Sequence, residues 1–66
     1  MSTVVLRVEA SFGTLVRPGD LVKKGERIGI DPSFKSWVTS PVSGRVSSVR
    51  FDTDNHCFIV EIVEIK

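Results

Sequence analysis

A chain of 66 residues with a single cysteine has to be held together by packing alone. Cys57 has no partner for an internal disulfide, and one histidine beside one cysteine gives no cluster for a structural zinc. A chain this short buries only about 60% of the surface its unfolded form exposes. It therefore reads as one small domain spanning residues 1–66, with one core and tight turns that set its strands against each other.

Nine Lys and Arg against eight Asp and Glu leave a net charge of +1, which provides no basic stripe for a polyanion. Nucleic acid is accordingly not expected as a partner. No apolar run approaches the roughly 20 residues of a membrane helix, so no membrane insertion is expected. Met1-Ser2-Thr3 lacks the basic start and apolar core of a signal peptide. The expected compartment is the cytoplasm, where a lone reduced thiol is at home.

β-Branched and aromatic residues dominate the apolar set, and no segment has helical periodicity. In Thr3 to Ala10 the residues Val4, Leu6, Val8 and Ala10 share one face, with Arg7 and Glu9 on the other, the pattern of a half-buried strand. Further strands are expected at Thr14–Arg17, Arg27–Ile30, Trp37–Thr39, Arg45–Phe51 and His56–Ile65, with Leu21-Val22 drawn across the core between two turns. Alternation slips by one between Val46 and Val49, and again near Ile62-Val63, where Glu61 and Glu64 stand three apart. Such slips mark bulges or strands that bend from one sheet into another.

Turn chemistry is explicit. Arg17-Pro18-Gly19-Asp20 carries Pro at the second position and Gly at the third, as a type II turn requires, and Gly25 reads as a second positive-φ position. Asp31-Pro32-Ser33-Phe34 reads as a type I turn joining Arg27–Ile30 to Trp37–Thr39 in a hairpin. A faint repeat at an offset of 31 lays Phe12-Gly13-Thr14-Leu15 over Ser43-Gly44-Arg45-Val46, and Ile28 and Ile30 over Ile59 and Glu61. Two pseudo-symmetric halves predict that spacing, and chance is the alternative.

Two stretches, Val16-Arg17-Pro18-Gly19-Asp20-Leu21-Val22-Lys23-Lys24-Gly25-Glu26-Arg27-Ile28-Gly29 and Ser40-Pro41-Val42-Ser43-Gly44-Arg45-Val46, resemble the biotinyl/lipoyl domain family. The resemblance implies an all-β barrel-sandwich hybrid. In carrier members the hairpin between the halves presents a modified lysine at its tip. The lysine here, Lys35, lacks the flanking Met of biotin carriers and the preceding Asp of lipoyl carriers, and it stands closer to Pro41 than the family pattern sets it. In place of the carriers' second glycine-aspartate turn the chain has Asp52-Thr53-Asp54-Asn55 running into a Phe58-Ile59-Val60-Glu61 strand. That half is more similar to the unmodified barrel-sandwich domain of Rnf electron-transport C subunits and of the related sodium-pumping quinone reductase subunit. The resemblance implies a structural or docking module linked to a redox or carboxylase complex, without a cofactor of its own.

His56 and Cys57 are adjacent on a strand and point to opposite faces, so they do not form a catalytic pair or metal site. Asp52 and Asp54 alone make a poor calcium loop. No nucleophile has a base at a recognisable spacing, which leaves no catalytic residue and no enzyme. The expected function is protein docking, with Phe34 and Trp37 on the hairpin as contact residues. One alternative is a divergent carrier with biotin or lipoate on Lys35. Another is a single-strand nucleic-acid barrel stacking bases on Phe34 and Trp37, with Arg45 or Arg50 in reach. A homodimer is expected through an exposed edge strand, with Phe58 to Ile65 as the pairing segment.

Overall fold

The computed structural model describes residues 2–65; Met1, at the start of the segment read for a leader, and Lys66 lie outside the described residues. Six strands form: β1 (Thr3–Glu9), β2 (Leu21–Val22), β3 (Arg27–Ile30), β4 (Trp37–Thr39), β5 (Gly44–Asp52) and β6 (Cys57–Glu64). All pairings are antiparallel. A four-stranded sheet runs β1-β6-β5-β2, and β3-β4 form a separate two-stranded sheet. No helix is present among the described residues, and the chain is a small all-β barrel-sandwich hybrid.

The strands close on a core of Val8, Val16, Val22, Ile28, Val46, Val60 and Ile62, with Val4, Leu6, Val38, Val42, Val49 and Phe58 packed around it. The central cluster is wholly aliphatic, so small branched side chains fill the space between sheets and the aromatic rings are left nearer the surface. On the outer face, ion pairs Arg7–Asp52 (3.3 Å) and Arg50–Glu61 (3.1 Å) cross between strands. Exposed pairs of this kind add little stability.

The two glycine turns are built alike. At the first, the Asp20 amide donates to the Arg17 carbonyl (3.0 Å) across Gly19 at φ 95°. At the second, the Glu26 amide donates to the Lys23 carbonyl (2.9 Å) across Gly25 at φ 89°. Positive φ at the third position makes both type II, where an L side chain would be strained. In each, the closing acid also accepts from the first residue's amide: Asp20 from Arg17 (2.9 Å) and Glu26 from Lys23 (3.1 Å). Each turn is then bolted to a distant residue by reciprocal bonds. Gly19 donates to the Val46 carbonyl and Asp20 accepts from the Val46 amide, while Gly25 and Glu26 do the same with Ser40.

The repeat matches the ladders at one pair: displacing Val8 and Phe58 by 31 positions, forward on β1 and back on β6, lands on Thr39 and Arg27, which pair in the smaller sheet, whereas past the bulge between Arg27 and Gly29 the register is off by one. In one half β6 is flanked by β1 and β5; in the other β3 is flanked by β4 and by an isolated bridge from Thr14 to Gly29. The expected strand at Thr14–Arg17 is thus reduced to that bridge. The Thr14 hydroxyl donates to the Val16 carbonyl (2.7 Å), bending the backbone out of the ladder and toward the Arg17 turn.

Two further expectations are corrected. The slip between Val46 and Val49 is real, a bulge that leaves Ser47 unpaired opposite β6, but no second slip occurs near Ile62-Val63, where the β1–β6 register is continuous. The edge-strand dimer through Phe58 to Ile65 is overturned. β6 lies inside the sheet and spends both edges on β1 and β5, so it has no free backbone row to offer a second copy.

Candidate functional site

The β3–β4 hairpin ends in a loop closed twice. The Phe34 amide donates to the Asp31 carbonyl (2.8 Å), the bond of the expected type I turn, and the Asp31 amide donates to the Ser36 carbonyl (2.9 Å). Asp31's carboxylate also accepts from the Ser33 hydroxyl. Phe34 follows the turn at φ 63°, a left-handed conformation that non-glycine residues seldom adopt. This throws its ring outward, 60% exposed, where it meets the Phe12 ring edge-on at 6.1 Å. Lys35 comes one residue after the turn closes and is also exposed.

Trp37 opens β4 and keeps 44% of its surface exposed. The cation beside it is Arg27, with its guanidinium 4.7 Å from the ring centroid, and not the expected Arg45 or Arg50. Arg50 is instead paired with Glu61. Two open hollows adjoin at Ile30 and Trp37. One is lined by Phe34, Lys35 and Ser36, and the other by Phe12, Gly13, Leu15 and Gly29.

The surface is therefore wider than the hairpin. Phe12 (66% exposed) and Leu15 (60%) come from the segment after β1 and lie beside Phe34 and Trp37. Sequence reasoning missed both. The available signal was Phe12 next to Gly13, an apolar group at a turn, which is the argument applied to Phe34. What brings this segment to β3 is close backbone approach. A Cβ on Gly29 would stand 2.8 Å from Val8 Cγ1 and 3.3 Å from the Gly13 carbonyl oxygen.

Glu9 fixes the start of that segment. It is 4% exposed and accepts a hydrogen bond from the Phe12 amide at 3.1 Å. Burial pushes its carboxyl up, but bonds from the Ser11 amide and hydroxyl and from the Phe12 amide, with the nearby His56, outweigh that and hold it below the ordinary carboxylate range. Two residues earlier on β1, Arg7 reaches Asp52. Asp52 is also held low, first by the Asn55 side chain (2.8 Å), against a burial effect of opposite sign, then by the Asn55 and Asp54 amides and Arg7. Its oxygens serve the loop itself. His56 sits at the loop edge at φ 51°, while Cys57 is buried at 1% exposure on the strand.

A pH dependence follows. Both carboxyls titrate lower folded than unfolded, so the stability they contribute is full above the unfolded values and is lost as pH falls through the folded ones. The thermal midpoint is expected to drop between about pH 5 and about pH 2. Asp52→Asn should make that drop shallower, and an unchanged profile in the variant would remove Asp52 from the account.

A family model, the RnfC barrel sandwich hybrid domain, matches residues 4–66. The chain belongs to that family. No curated protein and no solved structure matches it. Family membership accounts for the biotinyl/lipoyl-like fold and for the second half, in which a polar loop, Asp52 to His56, replaces a second glycine turn. It also links the chain to a redox complex, which makes protein partners reasonable. No helix among the described residues is long and apolar enough to cross a membrane.

Proposed function

We propose that this RnfC-type domain is a non-enzymatic docking module that acts through the exposed surface formed by Phe12, Leu15, Phe34 and Trp37. The single observation that carries the reading is that four large apolar side chains, each 44% to 66% exposed, converge on two adjoining hollows of a molecule whose core is complete without them. An exposed apolar cluster is costly in a free domain and is useful when a partner covers it. The backbone strain at Phe34 supports the same reading, because a left-handed phenylalanine is held outward at the expense of local comfort.

A carrier modified at Lys35 is the competing reading, favoured by the exposure of Lys35 in the β3–β4 loop. Against it, Lys35 stands between Phe34 and Ser36 without the flanking residues a biotin or lipoate ligase meets in carriers, and it lines the apolar hollow.

The test has two arms. Intact mass after co-expression with a biotin or lipoate ligase should show no adduct; a stoichiometric adduct on Lys35 would establish the carrier. Binding to purified subunits of an Rnf-type complex should weaken at least about tenfold in the double variant Phe34→Asn with Trp37→Thr. Asn tolerates the positive φ at position 34 and Thr suits a strand, so the variant should stay folded. Unchanged binding by the folded double variant would remove the docking surface.

A further inference from the structure

The docking surface has a charged component that its apolar residues do not explain. Arg27 lies over the Trp37 ring, its guanidinium carbon 4.7 Å from the ring centroid, so one positive charge rests on an aromatic face of the surface. Among the described residues the ion pairs are Arg7–Asp52 and Arg50–Glu61; Arg27 and Lys35 take part in neither. Both are exposed; Lys35 lines one hollow, and Arg27 meets the surface through the Trp37 ring.

The neighbouring carboxylates are each hydrogen-bonded within their own segment. Glu9 is buried and bonded to the Phe12 amide, Glu26 is bonded to the Lys23 amide, and Asp31 accepts from Ser33 within its own turn. The cations that adjoin the apolar floor are Lys35, which lines one hollow, and Arg27, which rests on the Trp37 ring. A guanidinium is suited to bidentate bonding with a carboxylate, and excluding water around it strengthens the contact.

From this juxtaposition we propose that the surface binds a partner segment in which an apolar or aromatic side chain adjoins a carboxylate. The apolar group sits on Ile30 and Trp37, the carboxylate is taken by the Arg27 fork, and Lys35 attracts further acidic residues on the flank. This assignment rests on the docking reading above and adds the chemistry of the occupant. Arg27 sets selectivity by charge, whereas the aromatic residues supply area.

Trp37 is the sole tryptophan, so its emission reports the site directly. The probes are two blocked pentapeptides with a Leu-Phe centre, one flanked by glutamates and one by lysines, titrated against the whole chain at low salt. The glutamate peptide should shift Trp37 emission and bind at least tenfold more tightly than the lysine peptide, with the preference shrinking as salt is added. Arg27→Glu, an exposed change that leaves the core untouched, should reverse the order. Equal affinity for both peptides, or an unaltered preference in Arg27→Glu, would overturn the carboxylate assignment while leaving apolar docking in place. Loss of subunit binding in the Phe34 and Trp37 variant with no charge preference here would separate the two conclusions.

Discussion

Gly44→Ala is expected to leave the chain largely unfolded at room temperature. Gly44 is buried at the start of β5, in register with Val22 on one side and Glu64 on the other. A Cβ there would lie 2.2 Å from the Val63 carbonyl oxygen, 2.9 Å from its carbon and 3.0 Å from Ile62 Cγ2. The first two obstacles are backbone of the neighbouring strand, which cannot rotate away as a side chain can. Relief requires β5 to move off β6, and that breaks the bond from the Ile65 amide to the Ser43 carbonyl (2.9 Å) and loosens the short β2 pairing. Overpacking a core costs about 1–3 kcal/mol, and more where the backbone must shift. A single core in so short a chain supplies only about 3–5 kcal/mol. Urea titration followed by far-ultraviolet circular dichroism should show most of the native signal gone before denaturant is added. Ser47→Ala, at the exposed bulge nearby, should change stability by less than about 0.5 kcal/mol. A Gly44→Ala chain with the parental midpoint would show that β5 and β6 are not packed as closely as described.

That glycine also marks how far the sequence could be read. The turns at Gly19 and Gly25 were legible because turn type is a local property, set by Pro18 and by residues that accept positive φ. The need for glycine at position 44 is not local. It comes from Val63, which is distant in the chain, so the residue could be matched to a family pattern without its reason being visible. The Thr14–Arg17 segment has the β-branched residues of a strand, and only the Thr14 hydroxyl's bond to Val16 shows why it leaves the ladder. The same limit produced the edge assigned to Phe58–Ile65. An apolar strand reads alike at a sheet's edge or its centre, although half-buried Ile59 and Val63 on the outer face are what a central position leaves. Of the docking surface, the hairpin residues were legible from an apolar group at a turn, whereas Phe12 and Leu15 join it only through the close approach of Gly29 to Val8.

Ile28→Ala should destabilise the whole molecule by about 3 kcal/mol, as expected for a large-to-small change at a fully buried site. Ile28 is fully buried, and at the bulge between Arg27 and Gly29 it is β3's large side chain in the central cluster, packed with valines and Ile62 from the four-stranded sheet. Its carbonyl also accepts from the Leu15 amide (2.8 Å), which ties the Phe12–Leu15 segment to the hairpin. Removing the side chain leaves a cavity between the two sheets. Two probes distinguish how that loss is shared. Trp37 emission follows the hairpin, and circular dichroism is dominated by β1, β5 and β6. If the two pseudo-symmetric halves share one core, both probes should report one transition, displaced equally to lower urea. The reciprocal bonds from Gly25 and Glu26 to Ser40 argue for this, because they brace the far end of the hairpin against the turn that leads out of β2. A Trp37 transition that precedes the backbone signal would mean that the hairpin opens alone. The docking surface would then belong to a unit with its own, lower stability, and its affinity for a partner would include the cost of closing it.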